Sequence, residues 1–130
     1  MSASEGETHT RRYPRLRCFV AVELRAENPS LFAWGNLSSI GLGGCGVETE
    51  GLVDIGVTVE IASVEDERIA VAGDVVNRRV LVDKPGFGIG IAFSDTEDRI
   101  NEFVKFVEGK TKRDEQEYWY LTRLKETDGG

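Results

Sequence analysis

The hydrophobic patterning of this chain predicts a mainly β fold, an antiparallel barrel or sandwich followed by one or two C-terminal α-helices. Two observations carry that prediction. About six short apolar runs alternate with period two and are separated by turn residues, as in all-β domains. After residue 94 the apolar period lengthens to that of a helix. A chain of 130 residues, 40% of them hydrophobic and 30% charged, suits one globular domain with a core of its own.

Residues 1–10 are rich in Ser, Glu and Thr without apolar periodicity, so a disordered tail is expected there. This tail has no apolar segment of the signal-peptide kind. It holds His9, the sole histidine. A metal site needs several converging ligands, so His9 is incidental. Arg11, Arg12, Tyr13, Pro14, Arg15, Leu16 and Arg17 follow. Pro14 biases Tyr13 towards extended backbone, which makes this arginine arm non-helical.

From Arg17 onward Cys18, Val20, Val22 and Leu24 fall on one face and Phe19, Ala21, Glu23 and Arg25 on the other. That is a half-buried strand. Glu27, Asn28, Pro29 and Ser30 make a turn, and residues 31–37 return. The Ser- and Gly-rich stretch 38–46 suggests a bulged or tightly turned backbone. Residues 54–62 alternate again, with Ile55, Val57, Val59 and Ile61 on one face. Residues 64–68 are a charged connection. Residues 69–82 form one long strand, which Asn77, Arg78 and Arg79 either bend or carry to an edge. Asp83, Lys84, Pro85 and Gly86 have turn composition. Phe87, Ile89, Ile91 and Phe93 alternate with Gly88, Gly90 and Ala92, leaving a small-residue face for close packing.

Ser94, Asp95, Thr96 and Glu97 have the capping-box form. Ile100, Phe103, Val104 and Val107 follow at helical spacing, and Gly109 suits a helix stop. This helix is expected across one barrel opening. Residues 110–116 look like a polar linker to a second helix over 117–126, with Tyr118, Leu121 and Lys125 on one side. Trp119 and Tyr120 are read as packing or self-association residues, which makes a homodimer one expectation for this segment. The division expected is a tail (1–10), a barrel domain with arm and closing helix (11–109), and a helical extension (110–130).

Charge and composition then bound the function. Sixteen Lys and Arg stand against 23 Asp and Glu, a formal net charge of −7. That balance excludes general duplex DNA binding, which needs many neutralised phosphates. It leaves room for a small anion held by a local cationic cluster. No apolar run is long enough for a membrane helix. Cys18 and Cys45 both fall in strands and are read as small buried hydrophobes in a reducing cytoplasm rather than a disulfide. The catalytic roles go unfilled, with no histidine in the folded part, no cysteine pair at metal spacing and no phosphate loop ending in Lys-Ser/Thr. A non-enzymatic binding module without a cofactor is therefore expected.

Arg11 and Arg15 form R-x-x-x-R, and Asn36, Leu37, Ser38, Ser39, Ile40 and Gly41 have the form (D/N)-x-S-x-x-G. Together with the glycine-alternating strand at 87–91 and the closing helix, this pairing resembles the PilZ domain, a bacterial receptor module for cyclic di-GMP. The resemblance covers residues from about 11 to 109. It implies a six-stranded split barrel in the cytoplasm. It also implies that Arg11, Arg15 and a third cation, Arg12, grip guanine edges and phosphates. Asn36 and Ser38 would hydrogen-bond the ligand from the barrel surface, and Gly41 would let the backbone turn close to it. The implied partners are cyclic di-GMP and an effector protein of motility, pilus or exopolysaccharide machinery. A second register is also legible, with Ser39 in the Asn/Asp place, Gly41 in place of the serine and Gly44 as the motif glycine. That register implies an adaptor that binds no nucleotide and serves pilus or flagellar machinery.

Overall fold

The computed structural model describes residues 15–27 and 30–129, with 117–120 and 122–129 described by their backbone alone. Among the described residues six strands precede one helix: β1 (Leu16–Glu27), β2 (Ser30–Ile40), β3 (Gly44–Thr49), β4 (Thr58–Ser63), β5 (Ala70–Val80), β6 (Phe87–Phe93) and α1 (Glu97–Gly129). The strands close into a barrel in the order β1-β2-β3-β6-β5-β4, and every neighbouring pair is antiparallel. The mainly β, six-stranded antiparallel barrel expected from the sequence is thus the fold observed.

Period-two alternation puts Val20, Val22 and Leu24 of β1, Ala33 and Leu37 of β2, and Cys45 and Val47 of β3 inside the barrel. Val59 and Ile61, Val71 and Val75, and Ile89 and Ile91 complete the lining. Glu27 pairs with Ser30 at the β1–β2 turn, whose Asn28 and Pro29 lie outside the described residues. The 54–62 run is shorter than its alternation suggested. Residues 54–57 form a turn in which Gly56 has φ +96° and Val57 N–H donates to the Asp54 carbonyl at 3.3 Å. Ile55 is left 60% exposed, and β4 starts only at Thr58. The turn expected at 83–86 is closed by Leu81 N–H donating to the Gly86 carbonyl, with Gly86 at φ +112°.

Helix α1 covers the barrel end where β1 begins and β2 stops. Phe103, Val104 and Val107 are buried in the core, and Phe103 meets Phe93 edge to face at 6.4 Å between ring centres. The capping residue is Thr96 rather than Ser94, because the helix starts at Glu97 and Arg99 N–H donates to Thr96 Oγ1. Gly109 does not stop the helix, and residues 110–116 are helical rather than a linker, so one continuous helix replaces the expected two. A glycine inside a helix costs only about 1 kcal/mol relative to alanine, less than burying Val107 on the turn before it contributes. The described residues include no helix long and apolar enough to cross a membrane.

Asp95 ties the helix start to the sheet. Its carboxylate accepts from Ala72 N–H at 2.9 Å and Thr96 N–H at 2.7 Å, and lies 3.6 Å from Arg99. Burial raises this carboxyl, but the two N–H donors and the Arg99 guanidinium outweigh it and hold the pKa below the usual value. A depressed carboxyl adds stability above its unfolded pKa near 4, and that contribution is lost as pH falls through the folded pKa. Asp95→Asn is therefore expected to cost about 1–2 kcal/mol at pH 7. In urea titrations the gap from the parent should narrow as the pH is taken below about 4.

Candidate functional site

The site is built on a break in strand pairing. Between β2 and β3, Leu37 pairs with Val47 and Ser39 with Gly46, so Ser38 has no partner on β3. Across β1, Arg17 pairs with Ser39 and Val20 with Leu37, which leaves Cys18 and Phe19 facing Ser38 alone. Such a bulge resets the inside–outside alternation. Leu37 and Ile40 both stay in the core, while Ser38 and Ser39 both line one recess on the barrel surface. The bulged backbone expected for the 38–46 stretch is present, and it puts two hydroxyls side by side.

That recess holds about 170 Å³ and is lined by Arg15, Ser38, Ser39, Asn77 and Arg79 over a floor that includes Gly46, Gly88 and Gly90. Arg15 Nη1 donates to Ser39 Oγ at 2.9 Å, and Ser38 Oγ donates to the Gly46 carbonyl at 3.3 Å. Register explains the far wall: Ser39 faces Gly46, Gly46 faces Gly90, and Gly90 faces Asn77. One row along, Asn36 faces Glu48, Glu48 faces Gly88, and Gly88 faces Arg79. The glycines make the trough. A Cβ on Gly90 would lie 2.6 Å from Asn77 Nδ2, and one on Gly88 would lie 2.9 Å from Arg79 Cζ. Asn77 and Arg79 therefore fold over bare backbone. A bulge between Val75 and Asn77 sets their register with β6, and since β4 pairs with β5 only as far as Asp74, this stretch runs on as an edge paired on one side.

Electrostatically the recess joins two guanidiniums to one carboxylate. Glu48 lines it too, but is held by Lys84 at 2.7 Å, and that hydrogen bond pushes the Lys84 ammonium above its usual pKa. Cys45 lies at the recess wall. Burial pushes its thiol up to about 12, against the opposing pull of Arg15, and burial likewise raises Cys18 to about 11. Both cysteines are free thiols.

The predicted residues divide between neighbouring sites. Arg15 and Ser38 share the recess. Asn36 lines an adjoining groove of about 730 Å³ with Phe19, Phe32 and Trp34, where the Phe32 and Trp34 rings meet edge to face at 5.3 Å. Gly41 lines a third groove, about 460 Å³, between the β2–β3 turn and helix α1, and Arg15 borders that one as well. Arg11 and Arg12 lie outside the described residues. Sequence reasoning missed Ser39, Asn77 and Arg79 as site residues. The available signal was the polar run in β5 paired with the glycine-alternating β6. Among the described residues, no cluster of His, Cys, Asp and Glu is placed to hold a metal ion.

The two motif glycines differ in what they touch. Gly41 N–H donates to the Gly44 carbonyl at 2.9 Å and opens the turn. At Gly44 a Cβ would sit 2.2 Å from the Ile91 carbonyl oxygen, a backbone atom that cannot swing aside. Gly44→Ala is expected to destabilise by about 1–3 kcal/mol or more. Gly90→Ala, which meets only a side-chain tip, should cost clearly less, and a comparison of urea midpoints checks the order. In the folded protein Cys45 should not react with iodoacetamide at pH 8 and Cys18 should react more slowly than a free thiol, whereas both should react fully in denaturant.

The PilZ domain profile matches residues 9–109. The PilZ domain with c-di-GMP of YcgR from Escherichia coli is similar at TM-score 0.61 and 13% identity, over 83% of this chain and 95% of that one. The MrkH–c-di-GMP complex of K. pneumonia is similar at TM-score 0.59 and 20% identity, over 80% of this chain and 55% of that one. The PilZ domain of CeSA from a cellulose-synthesizing bacterium gives TM-score 0.54 and 19% identity, over 74% of this chain and 96% of that one. No curated protein matches the chain. This chain belongs to the PilZ domain family.

Proposed function

We propose that this protein is a non-enzymatic cytoplasmic receptor for cyclic di-GMP that relays binding to a protein effector. The observation that carries the reading is the meeting of Arg15 with Ser38 and Ser39, opposite Asn77 and Arg79, over a glycine floor. Cyclic di-GMP offers two phosphodiesters and two guanines. Guanidiniums suit both, as charge-assisted forks to phosphate and as bidentate donors to the guanine edge. The serine hydroxyls and the Asn77 amide supply shorter-range hydrogen bonds.

The volume of the recess, about 170 Å³, is below the roughly 300–1,000 Å³ of ordinary small-molecule sites. It fits one part of such a ligand. Arg11 and Arg12, four and three residues before Arg15, are the cations this reading assigns to the rest. Asn36, one register row away, would contact the ligand where it extends towards the aromatic groove, and Gly41 would keep the adjoining turn small. Arg15 borders both the recess and the groove beneath α1, so its capture by a ligand would be felt at the helix. Effectors in motility, pilus or exopolysaccharide machinery are the partners this reading supplies.

A second reading rests on the turn. The glycine whose Cβ would strike the Ile91 carbonyl is Gly44, which favours the register in which Gly41 stands where the motif serine would be. The protein would then be an adaptor that binds no nucleotide and acts through protein contacts. Calorimetric titration of the folded protein with cyclic di-GMP separates the two. The receptor reading expects saturable heat at micromolar concentrations, and a loss of about ten- to a hundredfold in affinity for Arg15→Ala and for Arg79→Ala. No heat from folded protein supports the adaptor.

A further inference from the structure

Helix α1 outruns the barrel. Its last core residue is Val107, and its last described ion pair to the barrel is Lys110 to Glu65 of the β4–β5 connection at 3.9 Å. Lys112, Arg113, Asp114, Glu115 and Gln116 are exposed, and Leu121 is 55% exposed. The helix nevertheless continues to Gly129, about five turns beyond Lys110. A helix of that length without a partner is marginal in water, because its stability ordinarily comes from packing one face.

The sequence of the overhang says what would cover it. Asp114, Tyr118, Leu121 and Lys125 are spaced by four, three and four residues, which places them on one helical stripe. The stripe reads acidic, aromatic, aliphatic, basic. Run antiparallel against itself about a two-fold axis between residues 119 and 120, it is self-complementary. Tyr118 then falls opposite Leu121 of the second copy, and Asp114 opposite Lys125. A parallel, in-register pair would instead set Asp114 against Asp114 and Lys125 against Lys125, which is repulsive.

We propose that residues 110–129 form the antiparallel, two-fold interface of a homodimer, with Tyr118 and Leu121 as its apolar centre and Asp114–Lys125 pairs closing each end. The interface is isologous, so each contact occurs twice. A single pair of short helices buries less than the roughly 1,600 Å² of a standard interface, which makes the dimer weak and concentration-dependent. It lies outside the nucleotide recess, so the proposal does not rest on the ligand reading.

Sedimentation equilibrium on the full chain, without nucleotide, tests it. From low to high micromolar protein, the mass is expected to rise from 14.4 kDa towards twice that value. Leu121→Glu should hold the chain at the monomer mass, with circular dichroism showing that the barrel remains folded. Asp114→Lys should weaken association at least tenfold, and adding Lys125→Asp should restore it. Positions 114 and 125 are about 16 Å apart along one helix, so that rescue can act only between chains. A monomer throughout the concentration range, or a dimer indifferent to Leu121→Glu, overturns the proposal. Failure of the double variant to rescue overturns the antiparallel register.

Discussion

The pairing of the two serine hydroxyls in the candidate site depends on Ser38 lacking a partner across the β2–β3 ladder. In an uninterrupted strand, successive side chains alternate between core and solvent, and two adjacent serines cannot share one face. The single unpaired residue lets Leu37 and Ile40 remain in the core while both hydroxyls between them line the same recess. Remove that irregularity, and either Ile40 turns outward or one serine is driven into the barrel without a partner. The apolar lining and the polar surface are thus two results of one pairing defect.

The opposite wall answers with an absence of side chains. Gly46, Gly88 and Gly90 belong to β3 and β6, and their paired positions in β2 and β5 carry Ser39, Arg79 and Asn77. Hydrogen-bonding groups from the outer strands lie over the bare middle of the sheet. This arrangement binds residues far apart in sequence into one patch, with Arg15 at the chain entry on one side and Arg79 on the other. Two guanidiniums at that spacing make a local positive site on a chain whose net charge is −7.

Much of this fold was legible because a half-buried strand writes its geometry into every second residue. Val20, Val22 and Leu24 announced β1, and the glycine-alternating run from Phe87 announced β6. The failures share a cause. Ile55 continued an apolar alternation but sits in a turn, since the pairing partner that would bury it is not specified locally. Gly109 looked like a stop because local propensity favours one, yet a long-range contact of Val107 with the core outweighs it. The site was half legible: Arg15 and Ser38 were marked by motif, whereas Asn77 and Arg79 join it only through the β5–β6 register. Asn36, four positions before Ile40, belongs to a neighbouring groove for the same reason.

Closure of the barrel also limits how this protein can converse with others. A sheet with a free border can recruit a guest segment as an additional strand, using unsatisfied backbone groups as the template. Here β1 and β4 close the circle over residues 22–25, so no strand presents a whole free border, although β2 before Gly35 and β5 beyond Val75 are paired on one side only. The larger recognition surfaces are therefore made of side chains: the aromatic groove, the polar trough, and the helical rod standing beyond the barrel end. Under the receptor reading proposed above, a ligand held at the trough would be reported by moving one of these surfaces.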